Sequence, residues 1–229
     1  MGEITVVPEV IYEDNHIIVA VKPFGMPSQE DDSKDLDMLS WIKAYVKEKY
    51  NKPGEAFIGL VHRLDRVSGG LMVFARTSKS ASRLSEQIRK KQIQKKYLLI
   101  AEGSLKDKSG TLEDYLLKDK SNNTVQAFKS KVDGSKDAML NYKVIDENEE
   151  LSFIEVELIT GRSHQIRVQF SSRGCPIYGD SKYGSINPQR KSIALWSAYL
   201  SFEHPTKKEK LELSVDVPEQ IPWNFFKSI

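Results

Sequence analysis

A chain of 229 residues with 39% hydrophobic composition and a net charge of +2 holds enough apolar material for a real core, which excludes an intrinsically disordered chain. No apolar run reaches the roughly 18 residues of a membrane helix, and the opening MGEITVVPEV lacks the basic-then-apolar order of a secretory leader. The sequence therefore reads as a soluble, cytoplasmic protein without a membrane partner. Val6 stands where a myristoylation signal has Ser or Thr, and the single cysteine, Cys175, excludes an internal disulfide and a cysteine-rich zinc cage.

In chain order, the first element expected is a buried strand at IIVAV, 17–21. A helix follows over 36–50, with Leu39, Ile42 and Val46 inward, ending before Pro53-Gly54. LMVFA (71–75) and YLLIA (97–101) are two further buried strands. Between them Thr77 or Ser78 caps a basic helix whose Ala81, Leu84 and Ile88 face a core while Arg83, Arg89 and Lys90 face outward. The stretch 118–137 has the composition of a loop. FIEVEL (153–158) alternates as a strand with one wet face, and SHQIRVQFSSRG fits a helix capped by Ser163 and ended by Gly174, although its apolar spacing also fits a strand. Two last strands, ALWSAYLSFEHP and KLELSV, flank a Pro-Thr-Lys-Lys turn. With no repeat and no linker, residues 1–229 read as one domain.

Charge is unevenly spread. From His62 to Tyr97 there are ten Lys or Arg against Asp65 and Glu86, whereas EDDSKDLD (30–37) and DENEE (146–150) are acidic. Such a basic stretch suits nucleic acid phosphates, and a solvated helix face has the same look. Two constellations carry candidate chemistry. The first is Asp65 in His62-Arg63-Leu64-Asp65-Arg66, ahead of Ser68-Gly69-Gly70 and a buried strand. A carboxylate between arginines is more often a weak surface ion pair, but a double glycine that lets backbone approach closely favours a site. The second is TGRSHQIRVQFSSRGCPIYGDSKYG (160–184), which concentrates Arg162, His164, Gln165, Arg167 and Arg173. Tyr97, opening a buried strand, is by itself an ordinary core aromatic.

These blocks resemble, in order and over roughly Asn15 to Pro205, the RluA-type family of RNA pseudouridine synthases. The likeness rests on VKPFGMPS (21–28), the His62–Gly70 signature, KKYLLIAEG (95–103), GRSHQIRVQF, RGCPIYGDSKYG and LSFEHP. Departures are Ser68-Gly69-Gly70 where Thr-Ser-Gly is usual, Gln169 in place of a His, and Leu195-Trp196-Ser197 in place of Leu-His-Ala. They leave the reaction class intact and bear on the RNA target. The resemblance implies an α+β fold with a mixed, largely antiparallel central sheet and flanking helices, no accessory S4 domain, and an isomerase that turns uridine into pseudouridine in ribosomal or transfer RNA.

That reaction breaks the C1′–N1 bond, turns the uracil and joins C1′ to C5 without redox change, so neither cofactor nor metal is expected. One ionised carboxylate serves either as nucleophile at the sugar or as the base that starts elimination to a glycal. By resemblance Asp65 is that group, Arg167 pairs with it, Tyr97 stacks on the target base and Arg63 fills the place the flipped nucleotide leaves. RNA contacts are expected from His62, Arg63, Arg66, Arg83, Arg89, Lys90, Arg162, His164 and Gln165, with the basic helix extending over 83–96. The expected oligomeric state is a monomer. Two other classes compete: a hydrolase using Cys175 with His164, and a noncatalytic RNA-binding module on the same scaffold.

Overall fold

A computed structural model describes residues 7–51, 53–187 and 192–226. The chain forms two compact units, one of Met1–Ile93 with Leu200–Val215 and one of Gln94–Tyr199 with Asp216–Ile229.

The first unit contains β1 (Glu9–Glu13), β2 (Ile17–Lys22), α1 (Met38–Lys49), β3 (Gly59–Leu60), β4 (Gly69–Ala75) and α2 (Ser78–Arg89), then the end of β10 (Leu195–Glu203) and β11 (Lys210–Ser214). Its strand order runs β1-β2-β4-β10, with β3 paired to β4 and β11 to β10. The β2–β4 ladder is antiparallel and sets Ile17 opposite Ala75 and Lys22 opposite Gly70. Because β2 and β4 are apolar runs rich in branched residues, both of their faces are buried. Ile17, Val19, Leu71, Val73, Leu84, Leu200 and Phe202 form the core on one side, each contributing about 1.5–3 kcal/mol by leaving water.

Helix α1 starts where the Asp37 carboxylate accepts from the Ser40 N–H at 3.0 Å. Its buried stripe is Met38, Ile42 and Val46. Leu39, expected inward, is only partly buried, because Met38 takes the i, i+4, i+8 line with Ile42 and Val46; the helix begins at Met38, two residues later than expected. Helix α2 is capped by Thr77, whose Oγ1 accepts from the Ser80 N–H at 3.1 Å. It ends at Arg89, shorter than the basic helix expected over 83–96. Residues 94–96 already belong to a strand.

The second unit holds β5 (Gln94–Glu102), β6 (Ser109–Asp119), β7 (Thr124–Phe128), β8 (Lys136–Glu147), β9 (Leu151–Leu158), α3 (Gln165–Ser171) and the start of β10, in the order β10-β5-β9-β8-β6-β7. The ladders β5–β9, β8–β9, β6–β8 and β6–β7 are antiparallel. Here the loop expected over 118–137 is corrected: it holds the end of β6, the hairpin turn at Asn123 with φ 48°, all of β7 and the start of β8. Its polar composition hid the strands, because one face lies toward solvent while Leu116 and Val125 join Val168 of α3 in a small core. The fold is α+β, with a largely antiparallel sheet and three α-helices among the described residues. No helix among them is long and apolar enough to cross a membrane.

Candidate active site

The turn that carries Asp65 is built by the segment that follows β2. Leu64 donates its N–H to the Ser28 hydroxyl at 3.0 Å, and that hydroxyl donates back to the Leu64 carbonyl at 2.7 Å. Lys22, fully buried, donates its ammonium to the carbonyls of Pro23, Met26 and Arg66 at 2.9, 2.8 and 3.2 Å. Gly25, at φ 80°, adds its N–H to the same Arg66 carbonyl at 2.9 Å. The Asp65 carbonyl accepts from both the N–H and the hydroxyl of Ser68. Thus the Lys-Pro-x-Gly block and the Leu-Asp-Arg block, some 40 residues apart in sequence, form one braced turn with the Asp65 side chain partly exposed on it.

Lys22 and Ser28 were missed as functional residues. The available signal was a lysine closing an apolar strand immediately before a proline. Burial lowers Lys22 to about 7; the Asp65 carboxylate acts to raise it and Arg66 to lower it further.

Around this turn the expected RNA-contact residues divide. Arg63 is exposed. His62 is partly buried, and its Nε2 accepts from the Val73 N–H at 3.0 Å. Arg66 reaches the acidic stretch 30–37, pairing with Asp35 and with Asp31 at 3.5 Å and donating to the Ser33 hydroxyl at 2.8 Å. Arg83 donates to the Pro205 carbonyl at 2.6 Å, and Glu86 pairs with Lys90 at 2.9 Å and with Arg89 at 3.8 Å. Arg89 and Lys90 remain exposed to solvent.

In the second unit, α3 and the segment after it aim Arg167. Arg167 is 5% exposed; its Nε donates to Asp180 Oδ2 at 2.6 Å and its Nη2 to Asp180 Oδ1 at 2.8 Å. The Tyr183 ring lies beneath it, with 5.0 Å from the guanidinium carbon to the ring centroid. Asp180 and Tyr183 were not anticipated, although both lie in the GDSKYG block. The helix itself is not capped by Ser163 as expected. His164 takes the cap position at φ 51° with no side-chain cap bond, and its Nδ1 hydrogen-bonds the Tyr183 hydroxyl at 2.7 Å. A left-handed residue can face its ring to a neighbour that the extended backbone of an ordinary cap would not reach.

Gln165 also departs from its expected RNA contact. It is buried; its amide oxygen accepts from Thr160 at 2.8 Å and from the Arg162 N–H at 3.0 Å, while its amide nitrogen donates to the Met139 carbonyl and to Gln169. All its polar capacity is used inside the protein. Gln169, where a histidine is usual, continues this network by donating to Asp114 Oδ2 at 2.8 Å and to the Leu112 carbonyl. Arg162 binds the carbonyl and carboxylate of Asp137 at 2.8 and 3.0 Å. Tyr97 lies in β5 opposite Val156 and is 6% exposed. Cys175 is buried, and burial pushes its thiol up, away from the thiolate a cysteine hydrolase requires.

Residues 16–172 match the family model described as RNA pseudouridylate synthase. The chain belongs to that family. It is 33% identical over 93% of its length to an RNA pseudouridine synthase of Bacillus subtilis, YhcT, of which it spans 72%. It is 30% identical over 94% of its length to the ribosomal large subunit pseudouridine synthase D of Pseudomonas aeruginosa, spanning 70% of that protein. In architecture it is similar to human RNA Pseudouridylate Synthase Domain Containing 4, with a TM-score of 0.77 at 23% identity, covering 92% of this chain and 89% of that one. This pseudouridylate synthase is accordingly an isomerase acting on RNA, and its substrate atoms are those of a uridine. Neither the hydrolase nor the noncatalytic reading fits that membership.

Proposed function

We propose that Asp65 is the carboxylate that acts on the ribose of the target uridine, as nucleophile at C1′ or as the base that opens elimination to a glycal. The observation that carries this reading is the braced turn: Lys22, Ser28, Gly25 and Ser68 all bond the backbone of residues 64–66, leaving the Asp65 side chain as the group presented. Such bracing supplies the fixed geometry that an attacking group needs. In the second unit, Arg167, oriented by Asp180 and Tyr183, is the catalytic cation, and Tyr97 is the aromatic platform for the flipped base. The uracil leaves C1′ with its electron pair, turns, and bonds through C5, whose proton is then lost while N1 regains one. No second carboxylate is required, in contrast to glycoside hydrolysis.

The two units together serve as one catalytic domain, acting as a monomer in the cytoplasm. Arg63 enters the vacated stack, and Arg89, Lys90, Arg66, Arg83, His62, Arg162 and His164 line the path of the RNA. Gln165 organises the 160–165 turn instead. Ribosomal RNA is the favoured substrate, because the similar protein of Pseudomonas aeruginosa is named for the large ribosomal subunit; transfer RNA is the second candidate.

A transcriptome-wide pseudouridine map of cells with and without the gene tests the substrate, and purified protein on the mapped RNA tests the residue. Asp65→Ala should convert uridine slower by on the order of a thousandfold or more, the scale of losing an attacking group, at unchanged RNA affinity. Conversion at near the wild-type rate would refute the assignment.

A further inference from the structure

Strand β5 treats its two faces differently. Gln94 and Lys96 point one way and meet acids: Gln94 donates to Glu157 at 2.7 Å, and Lys96 pairs with Glu155 at 3.2 Å. Lys95 points the other way, on the face of Tyr97, with the two Cα atoms about 6.6 Å apart at the ordinary strand rise. It is partly buried and, among the described residues, its ammonium has neither a hydrogen bond nor an ion pair.

A buried lysine is ordinarily paired, since taking the charge from water is unfavourable. Here burial alone acts on Lys95 and lowers it to about 8, with no carboxylate to oppose the shift. The group is therefore largely charged at neutral pH and incompletely compensated. The ammonium still reaches water, and an anion brought by the substrate is what would pair with it. RNA carries one kind of formal charge, the phosphodiester, and the aromatic two residues away is the one assigned to the flipped uracil.

We propose that Lys95 is a phosphate-binding residue of this enzyme, receiving a backbone phosphate that flanks the flipped uridine and so fixing the nucleotide against Tyr97. A compact ammonium suits this role, because it tolerates partial desolvation by shifting its protonation rather than by holding a fixed charge. The inference rests on the placement of the target base at Tyr97, and it adds an anchoring contact that the basic helix α2 does not provide.

Two readouts test it, both on the intact protein. The first is fluorescence anisotropy with a labelled single-stranded oligouridylate across a salt series. Lys95→Gln should bind about tenfold more weakly, with the slope of log affinity against log salt shallower by about 0.7, the value for one phosphate on a single strand. Lys95→Arg should keep the wild-type slope, and Lys96→Gln, on the opposite face, should match the wild type. With uncharged methylphosphonate linkages in the oligonucleotide, the difference between wild type and Lys95→Gln should vanish. The second readout is thermal melting of Lys95→Met, which should hold or raise the melting temperature, since it removes an uncompensated charge. A wild-type slope in Lys95→Gln, or a marked loss of stability in Lys95→Met, would overturn the proposal. The two readings fail separately: a folded Tyr97→Leu protein with full turnover discards the stacking platform, whereas the salt slope concerns Lys95 alone.

Discussion

Two oxygens of Asp180 hold the Nε and Nη2 edge of Arg167 inside the second unit, and both side chains are nearly inaccessible. A buried guanidinium left without its carboxylate costs about 3–5 kcal/mol. Asp180→Asn should therefore lower stability by roughly that amount, less whatever the amide oxygen retains. As Asp180 acts by positioning Arg167, kcat should fall while the RNA affinity stays near that of the wild type; urea unfolding and single-turnover kinetics measure the two. At this scale the sequence proposed Asp65, Tyr97 and Arg167 only through the order of whole blocks. Gln165 illustrates the limit: its type and neighbours suit RNA, and only the surrounding Thr160, Arg162, Met139 and Gln169 reveal that its amide is saturated. A polar side chain does not carry its burial in its name.

Between elements, the joint that matters is the one Lys22 makes from the end of β2 to the turn at 64–66. Three carbonyls around its ammonium favour the charged form, burial opposes it, and burial prevails, so Lys22 sits near 7 against an ordinary value of about 10.4. The unfolded chain then binds more protons than the folded one between pH 7 and 10. Stability contributed at this position rises with pH across that window and is lowest below pH 7, by up to about 1.4 kcal/mol per pH unit. Lys22→Met removes the dependence and takes the ammonium donor from the Pro23 and Met26 carbonyls, while the Arg66 carbonyl keeps the Gly25 N–H. Urea titrations at pH 7 and 9 should show the variant less stable at both values and the gap from the wild type widening at pH 9. The start of α2 and the apolar strands were legible, because caps and periodicity are local properties: Thr77, one of the two caps read, caps α2, and Ile17–Lys22 forms a strand. The hairpin β6–β7 was not, since the polar Lys120-Ser121-Asn122-Asn123 turn dominates the stretch and the five residues of β7 are too few to mark a strand.

Across the whole molecule, the first unit is closed by residues far apart in sequence. His204, after β10, hydrogen-bonds Asp14, between β1 and β2, at 2.8 Å, and Lys207 approaches the same carboxylate at 3.3 Å. Burial works to raise Asp14, but the N–H groups of His16 and Ile17 together with Lys207 and His204 outweigh it and bring it to about 2. A carboxyl depressed in the folded state contributes stability above pH 4 that is lost as pH falls from 4 through 2, here about 2 kcal/mol. Asp14→Asn should unfold at a higher pH in acid and lose about that much at pH 7, as acid titrations followed by circular dichroism would record. By itself the sequence determined the reaction family, the apolar strands, the helix that Thr77 caps and the order of the Asp65 and Arg167 blocks, because these are properties of composition, spacing and order along the chain. Only the tertiary structure decided that Lys22 and Ser28 brace Asp65, that Asp180 and Tyr183 orient Arg167, and that Lys95 is the cation on the Tyr97 face without an acid. Each of those depends on which groups meet after the chain has folded back on itself, and water or a partner can satisfy a polar side chain equally well until that happens.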